Sequence, residues 1–228
     1  MLYNIKKLKI GIFVPTYNRP DLIRYCLLQL AAQTKKPDVV AVHQNGNPKS
    51  YKTIIEDLDW PFNIKWIHTK HKIREHEWYR IPLNYLIDEG CDLFFWVDHD
   101  DFYSKDHIKT AFYELKKYDF RISKGSNFIA IDTSLNKFKI CKTNQFRGHI
   151  PGGMSASIAF NKNFAIELEK KLLEDKNQRH SDAVLAKEVM PKFKCLISKN
   201  KTTTYVCHPG SVTSNSWVNR WVNGTKKF

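Results

Sequence analysis

Leu93-Phe94-Phe95-Trp96-Val97-Asp98-His99-Asp100-Asp101-Phe102 is an unbroken apolar run that ends abruptly in a cluster of carboxylates. Bounded by Gly90 before it and the acids after it, the run reads as a strand buried on both faces, the kind found in a parallel sheet covered by helices. The carboxylates then stand at the strand's carboxyl end. Like charges packed so closely repel unless a cation or a raised pKa relieves them, and hard oxygen ligands suit Mg²⁺ or Mn²⁺. An acidic turn capping the next helix, with Asp100 or Asp101 as N-cap, is the simpler alternative. The residues upstream weigh against it.

Lys9 to Thr16 reads as an apolar strand that stops at a proline, Tyr17 to Asp21 as a turn, and Leu22, Ile23, Cys26, Leu27, Leu30 and Ala31 fall at helical spacing. That helix ends near Thr34, because Lys35-Lys36-Pro37 cannot continue it. Asp38 to Gln44 is a second strand, closed by Asn45-Gly46-Asn47-Pro48. Strand, helix, strand is the βαβ unit, whose crossover implies parallel strands with binding loops at their carboxyl ends. Ser50 to Leu58 reads as a short helix and Asn63 to His68 as a third strand. Thr69 to Arg80 is a polar, basic connection to a helix over Ile81 to Ile87, and a further helix spans Lys105 to Lys117.

Beyond that helix the texture changes. Phe128 to Asp132 and Lys137 to Cys141 read as a hairpin around Ser134-Leu135-Asn136. Gly152-Gly153-Met154 precedes a strand ending at Phe160, Phe164 to Leu173 is a helix, and Ser181-Asp182 caps a last helix, Ala183 to Met190, stopped by Pro191. A strand over Thr203 to Cys207 delivers His208, and a polar tail carries Trp217, Arg220, Trp221, Lys226 and Lys227. Neither a repeat nor a linker rich in Gly, Ser or Pro interrupts the chain. A single domain over 1–228 is expected, in two halves, 1–117 and 118–228.

At 42% hydrophobic and 26% charged residues the composition is that of an ordinary soluble globular protein. No apolar run approaches the roughly 20 residues of a membrane span, and the amino terminus lacks a signal-peptide core, so the cytoplasm is the expected compartment. Cys26, Cys91, Cys141, Cys195 and Cys207 are odd in number and lack Cys-x-x-Cys spacing, which favours reduced thiols over a disulfide framework or zinc site. The net charge of +14 draws polyanions such as nucleic acid, phospholipid headgroups, acidic glycans or nucleotide phosphates. A lysine-rich surface serving solubility alone gives the same number.

Val14-Pro15-Thr16-Tyr17-Asn18-Arg19 after the first strand, together with Val97-Asp98-His99-Asp100-Asp101 after a later one, resembles family 2 of the glycosyltransferases, whose nucleotide-diphospho-sugar transferase fold is known as GT-A. The resemblance implies an α/β protein with a Rossmann-like, mixed but mostly parallel sheet flanked by helices. Residues 1–117 become the nucleotide-sugar-binding half, and 118–228 a smaller acceptor-side lobe with a basic aromatic tail. It implies a nucleotide-sugar donor, UDP-linked, gathered by Pro15, Thr16, Tyr17, Asn18, Arg19, Gln44, Asn45, Arg74, Arg80, Asp98 and His99. It places Mn²⁺ or Mg²⁺ on Asp98, Asp100 and Asp101, Asp100 being the first choice for direct ligation, with His208 as the family's late third ligand. Such a cation neutralises the leaving diphosphate as a Lewis acid.

In inverting relatives a carboxylate heading a helix in the second lobe takes the acceptor proton; Asp182 occupies that position here, with Glu167, Glu169, Glu174 and Asp175 as alternatives. Two departures matter. Where the family has an Asp-Asp-Gly-Ser-like sequence this chain has His43-Gln44-Asn45-Gly46-Asn47, leaving Gln44 or Asn45 to meet a uracil edge. The usual Ala-Arg-Asn before the central strand is replaced by Arg80-Ile81-Pro82-Leu83-Asn84, so that Arg74 or Arg80 is expected at the diphosphate.

Small relatives mostly build lipopolysaccharide or capsule. Here the basic charge is interleaved with aromatics, in Lys70 to Arg80, Lys137 to Arg147 and Trp217 to Phe228, the pattern of nucleic-acid contact. A hydroxymethylated base in phage DNA is therefore the favoured acceptor, with a glycan or lipid-linked sugar as the alternative. A non-enzymatic nucleic-acid-binding module on an α/β scaffold is the third reading. Three carboxylates beside a polyanion without a cation argue against it.

Overall fold

In a computed structural model of the chain, which describes residues 7–17, 19–46, 51–56, 58–123, 128–132, 137–141, 158–175 and 181–207, strands and helices alternate through the first half. β1 (Ile10–Thr16) leads through α1 (Pro20–Ala31) to β2 (Val39–Asn45), then α2 (Lys52–Glu56), β3 (Asn63–Thr69), α3 (Glu75–Asp88), β4 (Leu93–Trp96), the short β5 (Phe102–Tyr103) and α4 (His107–Glu114). The second half contributes β6 (Phe120–Ser123), β7 (Phe128–Asp132), β8 (Lys137–Cys141), β9 (Ile158–Asn161), α5 (Lys162–Glu174), α6 (Ser181–Val184), β10 (Cys195–Ser198) and β11 (Thr203–Cys207).

Seven strands form one mixed sheet in the order β10-β6-β9-β4-β1-β2-β3. β1 is parallel to both β2 and β4, and β2 to β3, whereas β9 runs antiparallel to β4 and β6. A second sheet has the order β5-β11-β7-β8. The decisive apolar run is thus the middle strand, and its residues are all buried. Its period of two sorts them between two cores. Phe95 and Val97 join Ile23, Leu27 and Leu30 of α1 and Ile108 of α4, while Phe94 and Trp96 join Leu83 and Leu86 of α3 and Phe164 and Leu168 of α5. Helices on both faces explain why no polar residue interrupts the strand.

Several expectations are corrected. α4 begins at His107 with Asp106 at its N-cap, so neither Asp100 nor Asp101 caps it. α3 begins at Glu75, well before Ile81, and Pro82 lies inside it. A proline lacks the N–H that would bond the carbonyl four residues back, and the Trp78 carbonyl so released lies 3.1 Å from Nδ1 of the buried His43. The helix thereby survives its proline through a partner on β2. Ser181 and Asp182 belong to α6 rather than preceding it; the chain then widens into a π turn, Leu185–Val189, and tightens into a 3-10 turn, Met190–Lys192, at Pro191. β5, β6 and β10 were not expected. Arg121 and Ser123 gave β6 the look of a loop, yet Arg121 is buried and its Nε donates to Glu114 Oε2 at 2.9 Å.

β7 and β8 pair antiparallel as the hairpin pattern predicts. Ser134-Leu135-Asn136, Gly152-Gly153-Met154, His208 and the aromatic tail lie outside the described residues. Among those described, no helix is long and apolar enough to cross a membrane.

Candidate active site

β4, β1 and β2 are neighbours in the sheet, and their carboxyl ends each present a buried polar atom with no partner among the described residues: Asp101 Oδ2, Thr16 Oγ1 and Asn45 Nδ2. Buried polar groups are nearly always hydrogen-bonded, so three orphans along one crest, where open α/β sheets bind ligands, mark a place that a ligand completes.

The two sequence motifs meet at this crest. Pro20 fits the first turn of α1 because its missing N–H is not needed there, and this sets Arg19 at the helix N-cap. Arg19 Nη1 donates to Asp100 Oδ2 at 2.7 Å, and His99 Nδ1 lies 3.1 Å from the Pro15 carbonyl oxygen. Behind them Asp98 Oδ1 accepts from Trp96 Nε1 at 3.1 Å, and the Asp98 N–H donates to the Tyr103 hydroxyl at 2.8 Å. Desolvation, followed by the charges of Asp100 and Asp182, pushes the Asp98 carboxyl up to about 8. Asp101 is held well above the carboxylate range by burial and by Asp98 and Asp100; its Oδ1 accepts from the Val206 N–H at 2.9 Å, which ties the acidic turn to β11, the strand leading to His208.

Asp182, half-buried in the first turn of α6, faces the same centre. Its charge acts on Asp98 and, with those of Asp98 and Glu75, raises the Tyr79 phenol, whose ring centroid lies 4.2 Å from that of Trp96. Ser181 Oγ donates to Glu75 Oε1 at 3.1 Å and fastens α6 to the start of α3. The alternatives on α5 serve that helix's surroundings instead. Glu167 pairs with Lys192, Glu169 with Arg80 and Glu174 with Lys171, while Asp175 is buried at the helix end.

On the other side of β1, Gln44 Oε1 accepts from the Tyr51 N–H at 3.2 Å and Asn45 Oδ1 from the Ile73 N–H at 3.0 Å, so both amide oxygens order the loops around them. Gly46 sits at φ +63°, and a Cβ there would meet Lys72 Cα at 2.7 Å, so only glycine lets the two backbones approach. The exposed Tyr17 ring lies nearly parallel to Trp78, at 10° and 6.3 Å between centroids, with Lys72 Nζ 5.4 Å from the Tyr17 ring. Arg74 stands exposed at the N-cap of α3. Arg80 bridges Glu77 at 2.9 Å and Glu169 at 3.0 Å, joining α3 to α5. Asn18, like His208, lies outside the described residues.

The family model described as Glycosyl transferase family 2 matches residues 11–221. The chain belongs to glycosyl transferase family 2. No curated protein matches the sequence. Solved structures of S. aureus TarS share its fold. The 1-349 fragment has a TM-score of 0.65 at 14% identity over 87% of this chain and 60% of that one. The same fragment in complex with UDP-GlcNAc gives 0.63 at 15%, over 90% and 60%. TarS itself gives 0.64 at 15%, over 87% and 37%. The family 2 chain thus spans 60% of the fragment's length, and the likeness establishes the GT-A fold: a mixed, mostly parallel α/β sheet flanked by helices.

Within that family 2 frame the acidic turn suits a divalent cation of a particular kind. Among the described residues no three His, Cys, Asp or Glu side chains close around one point, since Asp98, Asp100 and Asp101 each send an oxygen elsewhere, to Trp96, Arg19 and Val206. Yet they are hard oxygen donors under mutual repulsion, and Asp101 Oδ2 is buried with no partner among the described residues. One or two carboxylates completed by substrate phosphates is the usual way Mg²⁺ is held. The residues fit a cation that arrives with its phosphates.

Reading the sequence missed Glu75, Trp78, Tyr79, Tyr103 and Ser181. The first three lay in a stretch read as a loop; placing the start of α3 at Glu75 would have put Glu75 and Tyr79 on one helix face, four residues apart.

Proposed function

We propose that this family 2 chain transfers a sugar from a uridine-diphosphate sugar to a hydroxyl of a polyanionic acceptor, with inversion and with Mn²⁺ or Mg²⁺. The observation that carries the reading is the crest of unpartnered buried polar atoms, Asp101 Oδ2, Thr16 Oγ1 and Asn45 Nδ2, at the carboxyl ends of three adjacent strands. The complex of the similarly folded TarS fragment with UDP-GlcNAc supports a uridine donor.

Asn45 Nδ2 is a donor suited to a uracil carbonyl, and Tyr17, backed by Trp78, offers a planar face for the base. The amino end of α3, a helix of 14 residues, carries the positive end of its dipole and Arg74 toward the diphosphate. A divalent cation on Asp98 and Asp100 supplies charge neutralisation as the diphosphate leaves. Asp182 accepts the proton of the attacking hydroxyl while the bond from the anomeric carbon to the diphosphate oxygen breaks on the opposite face. Ser181 and Glu75 hold its helix in place for this.

The net charge of +14 supports a polyanionic acceptor. DNA bearing hydroxymethylated bases stands first in the order of test and an anionic glycan second. The experiment is a transfer assay with labelled UDP-sugars and Mn²⁺, offering both acceptors side by side. Label on the DNA is the expected result; label on the glycan alone overturns the DNA reading, and no donor turnover or transfer at all overturns the enzyme.

A further inference from the structure

The Arg19–Asp100 pair joins a guanidinium to the carboxylate first expected to hold the divalent cation. At 2.7 Å it is a full charge-assisted bond, and both side chains remain reachable by solvent, 20% exposed for Arg19 and 14% for Asp100. Arg19's backbone is fixed at the N-cap of α1, but its long side chain is free to swing without moving that helix. A guanidinium prefers the paired oxygens of a phosphate to a single carboxylate oxygen. Phosphates entering between β1 and β4 would meet the pair from the crest where Thr16 Oγ1 and Asp101 Oδ2 are without partners among the described residues.

We propose that Arg19 is an internal counter-cation that clasps Asp100 until a donor diphosphate takes the guanidinium and frees the carboxylate for the divalent cation. The inference rests on the donor reading above and deepens it by fixing the order of binding: metal and donor bind cooperatively, each weakly alone. Two features of the site agree with this. The acidic turn has no three-ligand cage among the described residues, so a cation gains its remaining ligands only with the phosphates. Without Arg19, Asp98, Asp100 and Asp101 would also face one another with no neutralising charge on Asp100. The clasp lets the empty site fold.

The test is Mn²⁺ titration of the intact chain by electron paramagnetic resonance, with and without saturating UDP, for wild type, Arg19→Gln, Arg19→Lys and Asp100→Asn. In wild type, UDP is expected to tighten Mn²⁺ at least about tenfold, within the usual range of coupling between two ligands. Arg19→Gln should bind Mn²⁺ alone about fivefold or more tighter than wild type, lose most of the UDP effect and bind UDP more weakly. Arg19→Lys, which keeps a charge and so guards against a folding defect in the glutamine variant, should still suppress Mn²⁺ binding in the absence of UDP. Asp100→Asn should bind little Mn²⁺ in either condition. Unchanged Mn²⁺ affinity and UDP coupling in a folded Arg19→Gln variant that binds UDP would overturn the clasp and leave the donor reading standing. Wild-type protein indifferent to UDP would overturn both.

Discussion

Arg19 Nη1 lies 2.7 Å from Asp100 Oδ2 across 81 residues of sequence, closing the motif that follows β1 onto the motif that follows β4. Each motif ends a strand of the same parallel pair. The contact therefore joins two loops whose positions the sheet has already set, and it decides which charge sits on Asp100 before any ligand arrives.

Asp100→Ala is expected to lower transfer by two to three orders of magnitude, the loss typical of removing one preorganised charge from a reacting centre, about 100- to 1000-fold. The fold should persist, because an ion pair this accessible contributes about 1 kcal/mol or less. Turnover and thermal unfolding measured on the same preparation decide it; a folded variant with near-normal transfer would remove Asp100 from the mechanism.

Asp182→Asn keeps the shape of α6 but cannot take a proton. The turnover number should fall by about 10²- to 10⁴-fold while UDP binding is unchanged. Glu167→Gln, at a residue paired with Lys192, serves as the comparison and should stay within about a factor of a few. Equal losses in the two variants would move the base elsewhere.

His43 and Pro82 are predicted to couple. His43→Ala leaves the Trp78 carbonyl without its partner and opens a small cavity, at a cost of about 2 kcal/mol. In the Pro82→Ala background the new N–H bonds that carbonyl, so the same substitution should cost about 1 kcal/mol less. Urea unfolding of the four proteins gives the cycle directly. Additive effects would mean that His43 does not replace the bond the proline removes.

Stability is predicted to decline on acidification through buried neutral histidines. His107 packs edge-on to Phe95 and Tyr103, with Nδ1 2.9 Å from Thr202 Oγ1; burial and the charge of Arg121 push it down to about 3, and burial lowers His43 as well. The unfolded chain takes these protons near the ordinary value of 6.5, whereas the folded chain refuses them. The contribution is therefore complete above pH 6.5 and is lost as pH falls from there toward 3, at up to about 1.4 kcal/mol per pH unit for each histidine. Unfolding free energies at pH 7.5, 6 and 5 measure the slope, which His107→Leu should flatten.

Acceptor affinity is predicted to weaken steeply with salt if the acceptor is DNA, by at least about tenfold between 50 and 200 mM. The net charge of +14 motivates this. Fluorescence anisotropy across a salt series reads it out, and a flat response would point to a neutral glycan.

The sequence by itself determined the α/β class, the central strand and the strand ends where the site is built. Those features are local: an apolar run longer than one face requires demands cover on both sides, and a carboxylate cluster at its end is visible without knowing the fold. β6 escaped because Arg121 made it look solvated, and only packing shows that Glu114 neutralises the charge inside. The start of α3 escaped because Pro82 looks like a boundary until His43, from another strand, takes the carbonyl it releases. Which carboxylate meets Arg19, which meets β11 through Val206, and which helix Ser181 holds through Glu75 were decided by tertiary structure alone. Each is a single hydrogen bond between segments far apart in the chain, and such a bond leaves no periodicity or spacing in the sequence; it exists only once the sheet has brought the strand ends together.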